Sequence, residues 1–188
     1  MLIRILAFLL ETLFFVLIGA ALLRAWMNWT RVNMRAQPGS FVMAVTDWLV
    51  KPLRRILPTR VTKSRVDWAS VVAAVLLALL YALLWTLLFG VLLAPGDLTG
   101  FAPATLLALP AFAFKMLIRV ALQTLMILVF GFVILSWVQP GSPAYALLGR
   151  LTEPLLAPLR RVIPTIGGID LSALVLLLLL QIGLIVFG

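Results

Sequence analysis

Pro52-Leu-Arg-Arg-Ile-Leu-Pro58 returns as Pro158-Leu-Arg-Arg-Val-Ile-Pro164, 106 residues further on. Each copy follows a threonine–acid pair, Thr46-Asp47 or Thr152-Glu153, and each is followed by a second acid, Asp67 or Asp170, that opens a long apolar run. The chain therefore reads as one unit written twice: apolar helix, basic loop, apolar helix. The first copy covers residues 1–93 and the second 116–188, with an outer loop at 94–115 between them.

The surroundings of the motif fix the solvent. Hydrophobic residues make up 64% of the 188-residue chain and charged residues 11%, and the mean hydropathy is +1.21. A water-soluble surface needs more polar residues than that. The expected fold is an all-α integral membrane protein. Four runs are long enough to cross a bilayer of about 30 Å at about 1.5 Å per residue: Leu2–Leu23, Trp68–Leu93, Met116–Trp137 and Leu171–Phe187. The first run is read as a retained helix rather than a cleaved signal, because the unit needs it. A fifth apolar stretch, Phe101–Phe114, is interrupted by Pro103 and Pro110. It is expected to lie in the outer interface or to re-enter the membrane.

Lysine and arginine set the orientation. Of 15 basic residues, nine lie in the loop at 24–67 and three in the loop at 138–170. The positive-inside rule places both loops in the cytoplasm and both termini outside. Trp26, Trp29, Trp48, Trp68 and Trp137 fall at the same level, where indole rings settle. Two helices per unit make the repeats parallel, related by an axis along the membrane normal. The net charge of +9 is then a topology and headgroup signal, and nucleic acid is set aside.

Within the loops, Phe41, Val45, Trp48, Leu49, Pro52, Leu53 and Ile56 fall on one helical face, as do Leu148, Leu151, Leu155, Leu156 and Leu159. Asp47, Lys51, Arg54 and Arg55 lie opposite the first stripe, and Arg150, Glu153, Arg160 and Arg161 opposite the second. Such helices lie flat at an interface. Pro154 suits a first turn capped by Thr152, and Pro158 should kink or end that helix. Pro58 and Pro164 stop the Arg-Arg turn, Gly167 and Gly168 permit a sharp reversal, and Asp67 and Asp170 are placed to cap the following helices.

Arginines beside spans ordinarily anchor to lipid phosphates. The alternative is a built platform, in which an arginine of each pair bonds the acid of the other copy, Asp47 or Glu153, or loop carbonyls. Neither copy has a nucleophile or base beside it, and the chain contains no His and no Cys. No catalytic residue, metal site or cofactor is expected.

In the spans, Glu11 is expected to pair with Arg119, tying the two copies together, with Gln123 one turn away. Gln181 is expected to make a packing hydrogen bond. Ser70, Ala74, Ala78 and Ala82 form a small-residue stripe suited to close helix approach, inside the chain or between copies.

The stretch Thr152–Ser172, TEPLLAPLRRVIPTIGGIDLS, resembles the motif of the YggT family of small bacterial inner-membrane proteins, whose members carry two such repeats. In the first copy Thr59-Arg-Val-Thr-Lys-Ser-Arg65 replaces the glycine-rich turn. The resemblance implies a non-enzymatic multi-pass inner-membrane protein linked to osmotic or envelope stress or to cell division, acting through lipids or membrane-protein partners, with homo-oligomers possible. Plastid relatives imply roles in b-type cytochrome assembly or nucleoid organisation. Two other readings stand beside it: a channel or carrier for ions or small osmolytes, and an assembly factor for membrane complexes.

Overall fold

The computed structural model describes residues 1–34, 39–56, 66–93, 103–163 and 170–187, with side chains described throughout these except at 89–93 and 103–106. Among the described residues all regular structure is helical: α1 (Leu2–Trp29), α2 (Gly39–Ile56), α3 (Trp68–Leu93), α4 (Pro103–Val138), α5 (Pro143–Arg160) and α6 (Leu171–Phe187). Long apolar runs make α1, α3 and α4, and each contains a segment long and apolar enough to cross a membrane. The fourth apolar helix, α6, has 17 residues, or about 25 Å.

The helices pack as two trios. In the first, α1 lies along α3, and α2 closes over the end of both; in the second, α4 lies along α6, with α5 against both. Contacts of α4 with α1 and α3 join the trios. The stripe Ser70, Ala74, Ala78 and Ala82 is buried within the chain, each residue at most 1% exposed. It lets α1 approach closely enough for Phe14, Ile18 and Ala21 to share one core with it. A Cβ on Gly19 would stand 3.2 Å from the Thr124 hydroxyl, so glycine sets the spacing of α1 and α4 there. Outward faces carry large exposed apolar side chains, among them Leu9, Leu13, Leu80, Phe130 and Leu178. That distribution suits a hydrocarbon solvent.

Two expectations about helices change. Residues 103–114 are neither re-entrant nor a separate interfacial segment, because they open a continuous helix of 36 residues. Pro103 occupies the first turn, where a missing N–H costs nothing. Beyond Pro110, Ala113 and Met116 enter the core around Phe14 and Tyr81, and Phe112 stacks on Tyr81 at 5.9 Å. Tertiary packing thus carries the helix through its proline. Phe101 and Ala102 lie outside the described residues. The loop expected at 94–115 accordingly shortens, since α4 begins at Pro103.

The second change is in α5. Thr152 is not a cap: it is buried in mid-helix, and its hydroxyl donates to the Leu148 carbonyl at 2.8 Å. The cap is Ser142, whose hydroxyl accepts from the Tyr145 N–H at 3.1 Å, with Pro143 in the first turn. Pro154 and Pro158 both lie inside the helix, which ends at Arg160, within a turn of the second proline. Pro52 likewise lies inside α2. The stripe on α2 also divides. Leu49 and Leu53 pack on the bundle, while Phe41, Trp48 and Ile56 are exposed.

Candidate functional site

The two Arg-Arg motifs sit at the same end of the bundle. On α1, Arg24 belongs to the turn preceding Trp26, and α2 crosses over it. The Arg24 guanidinium is 4% exposed. Its Nη1 donates to the Thr46 hydroxyl at 2.7 Å and to Asp47 Oδ1 at 2.8 Å. Its Nε has no hydrogen-bond partner and faces Asp67 Oδ2 at 3.8 Å. Asp47 also receives Lys51 Nζ at 2.8 Å, one helical turn on. Asp67, itself buried, accepts from Arg54 and from the Ser70 hydroxyl at 2.8 Å. Three cations and two carboxylates thus form one chain: Lys51, Asp47, Arg24, Asp67, Arg54. A buried guanidinium persists only where carboxylates and hydrogen bonds replace its water.

The second motif makes a smaller cluster. Arg160 Nε and Nη2 donate to Asp170 Oδ2 at 2.9 and 2.7 Å, and Nη1 donates to Glu153 Oε2 at 2.8 Å. Asp170 caps α6: its Oδ1 accepts the Ser172 N–H at 3.1 Å and also the Ser172 hydroxyl. No basic residue follows Arg119 on α4, so this cluster has no counterpart of Arg24. Glu153 is left for Arg160, and its extra methylene helps it reach an arginine two turns away.

The first arginine of each pair is therefore held by acids, but not by those of the other half of the chain. Arg54 holds Asp67 and Arg160 holds Glu153 and Asp170; neither bonds the other copy's acid. The crossing contact is instead Trp26 Nε1, which donates to the Leu151 carbonyl of α5 at 2.9 Å. Met27, Val32, Leu128 and Leu151 form the apolar core beneath it. The second arginine of each pair behaves differently from the first. Arg55 and Arg161 are exposed and have no side-chain partner among the described residues. Pro58, Pro164, Gly167 and Gly168 lie outside those residues. Asp67 stands in the cap position, its carbonyl accepting from Ser70 and Val71, while its carboxylate serves side chains.

Electrostatics follow the geometry. The Lys51 ammonium, and then Arg24, hold the Asp47 carboxyl below its ordinary pKa against the opposing effect of burial. Burial alone would raise Asp170, but the Ser172 hydroxyl and Arg160 outweigh it and the carboxyl lies below its ordinary value. Burial works against the charged form of Arg160, yet Asp170 and Glu153 raise its pKa overall. Asp47, Asp170 and Arg160 are thus each held in the charged form near neutrality.

Farther along the bundle, Arg119 Nη2 meets Glu11 Oε1 at 3.3 Å, so the expected pair joins α1 to α4. Gln123 and Thr12 line a recess of about 270 Å³ beside it, closed in by Phe8, Phe15 and Met116. Gln181 departs from expectation. It is exposed on α6 and makes no side-chain hydrogen bond among the described residues, because the packed side of α6 is Ser172, Ala173, Leu176 and Leu180. Among the described residues no group of acids, histidines or cysteines is arranged to hold a metal.

Arg24 is the functional residue that sequence reasoning missed. By sequence it is one of the nine basic residues of the loop at 24–67, a topology charge. The signal was available, since Arg24 is the first basic residue of the loop and lies within the last turns of an apolar helix.

Relatives share this sequence over most of its length. The proC 3′-region protein of Vibrio alginolyticus is 35% identical over 97% of this chain and 92% of its own. The YggT protein of Escherichia coli K12 is 34% identical over 94% of this chain and 86% of its own. A Pseudomonas aeruginosa protein is 35% identical over 93% of this chain and 84% of its own. No solved structure matches. The profile of the CCB3/YggT family matches residues 3–88 and 111–188, a range that includes every member of both arginine clusters. The chain belongs to the CCB3/YggT family.

Proposed function

We propose that this is a non-enzymatic, four-span inner-membrane protein built from two copies of one unit. Its work is to present a fixed cationic platform at the cytoplasmic face, binding anionic groups there and so organising lipids and partner proteins. One observation carries this reading: in both motifs the first arginine is consumed internally, on the aspartate that opens the next helix, and the second is exposed, with no side-chain partner among the described residues. A guanidinium held on a rigid base loses little entropy on binding a phosphate or carboxylate. Arg54 and Arg160 are the base, and Arg55 and Arg161 are the binding groups. The exposed Phe41, Trp48 and Ile56 of α2 suit a helix lying in the interface. The excess of basic residues in these loops supports a cytoplasmic placement.

The test compares two double variants in nanodiscs containing an anionic or a zwitterionic phospholipid. Arg55→Ala with Arg161→Ala should abolish the preference for anionic lipid while leaving thermal stability intact. Arg54→Ala with Arg160→Ala should lower stability first. Unchanged lipid preference in the first variant would refute the platform. A second reading, passage of ions or small solutes, is favoured by the recess beside Glu11, Arg119 and Gln123. It requires solute release from sealed liposomes of the pure protein, altered by Gln123→Leu.

A further inference from the structure

We infer that the outward face of α6 is a contact surface for a second copy of this chain, closed by a reciprocal hydrogen bond between the two Gln181 side chains. The inference rests on the proposed reading of α6 as a membrane span. Gln181 lies 11 residues beyond Asp170, or about 16 Å along the helix, which is the middle of a core about 30 Å thick. At that depth the short side chain cannot reach either interface. Lipid tails offer no partner, and an amide without one is costly there.

The residues around it have a spacing that fits a partner helix. Leu174, Leu178, Gln181 and Ile185 are separated by four, three and four positions, and all four are exposed. Leu174 is 48%, Leu178 60% and Ile185 73% exposed. This is the seam spacing of a left-handed helix pair, with one polar residue at its centre that fixes register. Among the described residues α6 packs on one side, mainly against α4 and α5, and the seam residues are exposed.

The occupant follows from symmetry and chemistry. Every copy inserts with the same orientation, so every Gln181 lies at the same depth. A two-fold contact brings each residue near its own counterpart. The amide carries both a donor and an acceptor, so two copies satisfy each other.

The chain contains no cysteine, so single-cysteine variants report contacts without background. In native membranes under mild oxidation, Leu178→Cys and Ile185→Cys should give disulfide-linked dimers. Leu179→Cys, exposed but off the seam, should give far fewer. Gln181→Leu should weaken the dimer about tenfold, the effect of a bonded amide pair worth roughly 1–2 kcal/mol, and Gln181→Asn should largely retain it. A wild-type protein that is monomeric in mild detergent and gives no cross-links would overturn the inference. Equal cross-linking at Leu179 would overturn it as well. Phe187→Cys separates the two readings. If an impermeant thiol reagent labels it from outside while the chain stays monomeric, α6 spans and the dimer alone is wrong. If it is protected outside and labelled inside, the span fails and the dimer falls with it.

Discussion

Arg24 and Arg55 are both arginines in one basic loop, and their surroundings give them opposite roles. Arg24 is buried between Asp47 and Asp67. Replacing it with leucine strips both carboxylates of their shared cation while Lys51 and Arg54 still pair with them, so the loss should fall near the lower end of the range for breaking a buried pair, about 3–5 kcal/mol. Arg55 is exposed and has no side-chain partner among the described residues, so Arg55→Ala should shift stability by less than about 0.5 kcal/mol. Thermal unfolding in detergent reads both. The acids give a pH dependence of defined sign. Asp47 and Asp170 have folded pKa values below the ordinary 3.8. Their contribution is therefore complete above that value and is lost as pH falls through the lowered folded values. The melting temperature should stay flat from neutrality down to about pH 4 and drop below it, and Asp170→Asn should flatten that drop. A drop centred near pH 6 would contradict this assignment. Sequence alone named the acids and the motif arginines of these clusters, but neither Arg24 nor the pairing. Arg54 has acids on both sides, Asp47 and Asp67, and only the packing of α2 against α3 selects the second. Arg24 looked like an ordinary positive-inside residue, because nothing local to it reveals that α2 crosses above.

Among the elements, α3 shows the strongest coupling of composition to packing. Its four small residues are buried to within 1%, and the neighbouring α1 fills the space they leave with Phe14, Ile18 and Ala21. Ala78→Leu would force α1 away from α3. Overpacking of a close seam costs typically about 1–3 kcal/mol, and the variant should unfold earlier. Leu80→Ala, on the exposed face of the same helix, should not. Equal losses at both positions would mean that the stripe is not the seam that sets helix spacing. The apolar elements were legible because a run that must cover itself in lipid can hardly be anything but a helix. Pro110 and Pro154 were harder to read. A proline weakens a helix by a few kcal/mol, and whether the helix continues depends on partners from distant segments. Phe112 finds Tyr81, and Leu151 and Leu156 on either side of Pro154 are buried. The stripe on α2 was likewise one face by periodicity and two by environment, since periodicity does not distinguish lipid from protein.

For the molecule as a whole, the question is what keeps the two trios in register. They are tied at two levels of the bundle. At the platform end, Trp26 donates to the Leu151 carbonyl above a shared apolar core. About 22 Å away, by the 15 residues of α1 between Trp26 and Glu11, Glu11 meets Arg119. The upper tie is a single neutral hydrogen bond, worth about 1 kcal/mol. Trp26→Phe should therefore loosen the seam without unfolding it. The lower tie differs because it is an ion pair set among the apolar side chains Phe8, Phe15 and Met116. A charge deep in the membrane costs about 2.5–3.5 kcal/mol on insertion scales. Each reversal alone, Glu11→Arg or Arg119→Glu, places two like charges in one recess with no counter-ion. Either single variant should fold poorly, with reduced yield and melting temperature. The exchanged pair restores opposite charges at the same positions and leaves the net charge unchanged. It should recover most of the stability lost in either single variant. Recovery would identify the pair as the joint between the trios. Two single losses that simply add in the exchanged protein would show that each charge is held by something other than its partner, and the register would then rest on Gly19 and the apolar seam alone.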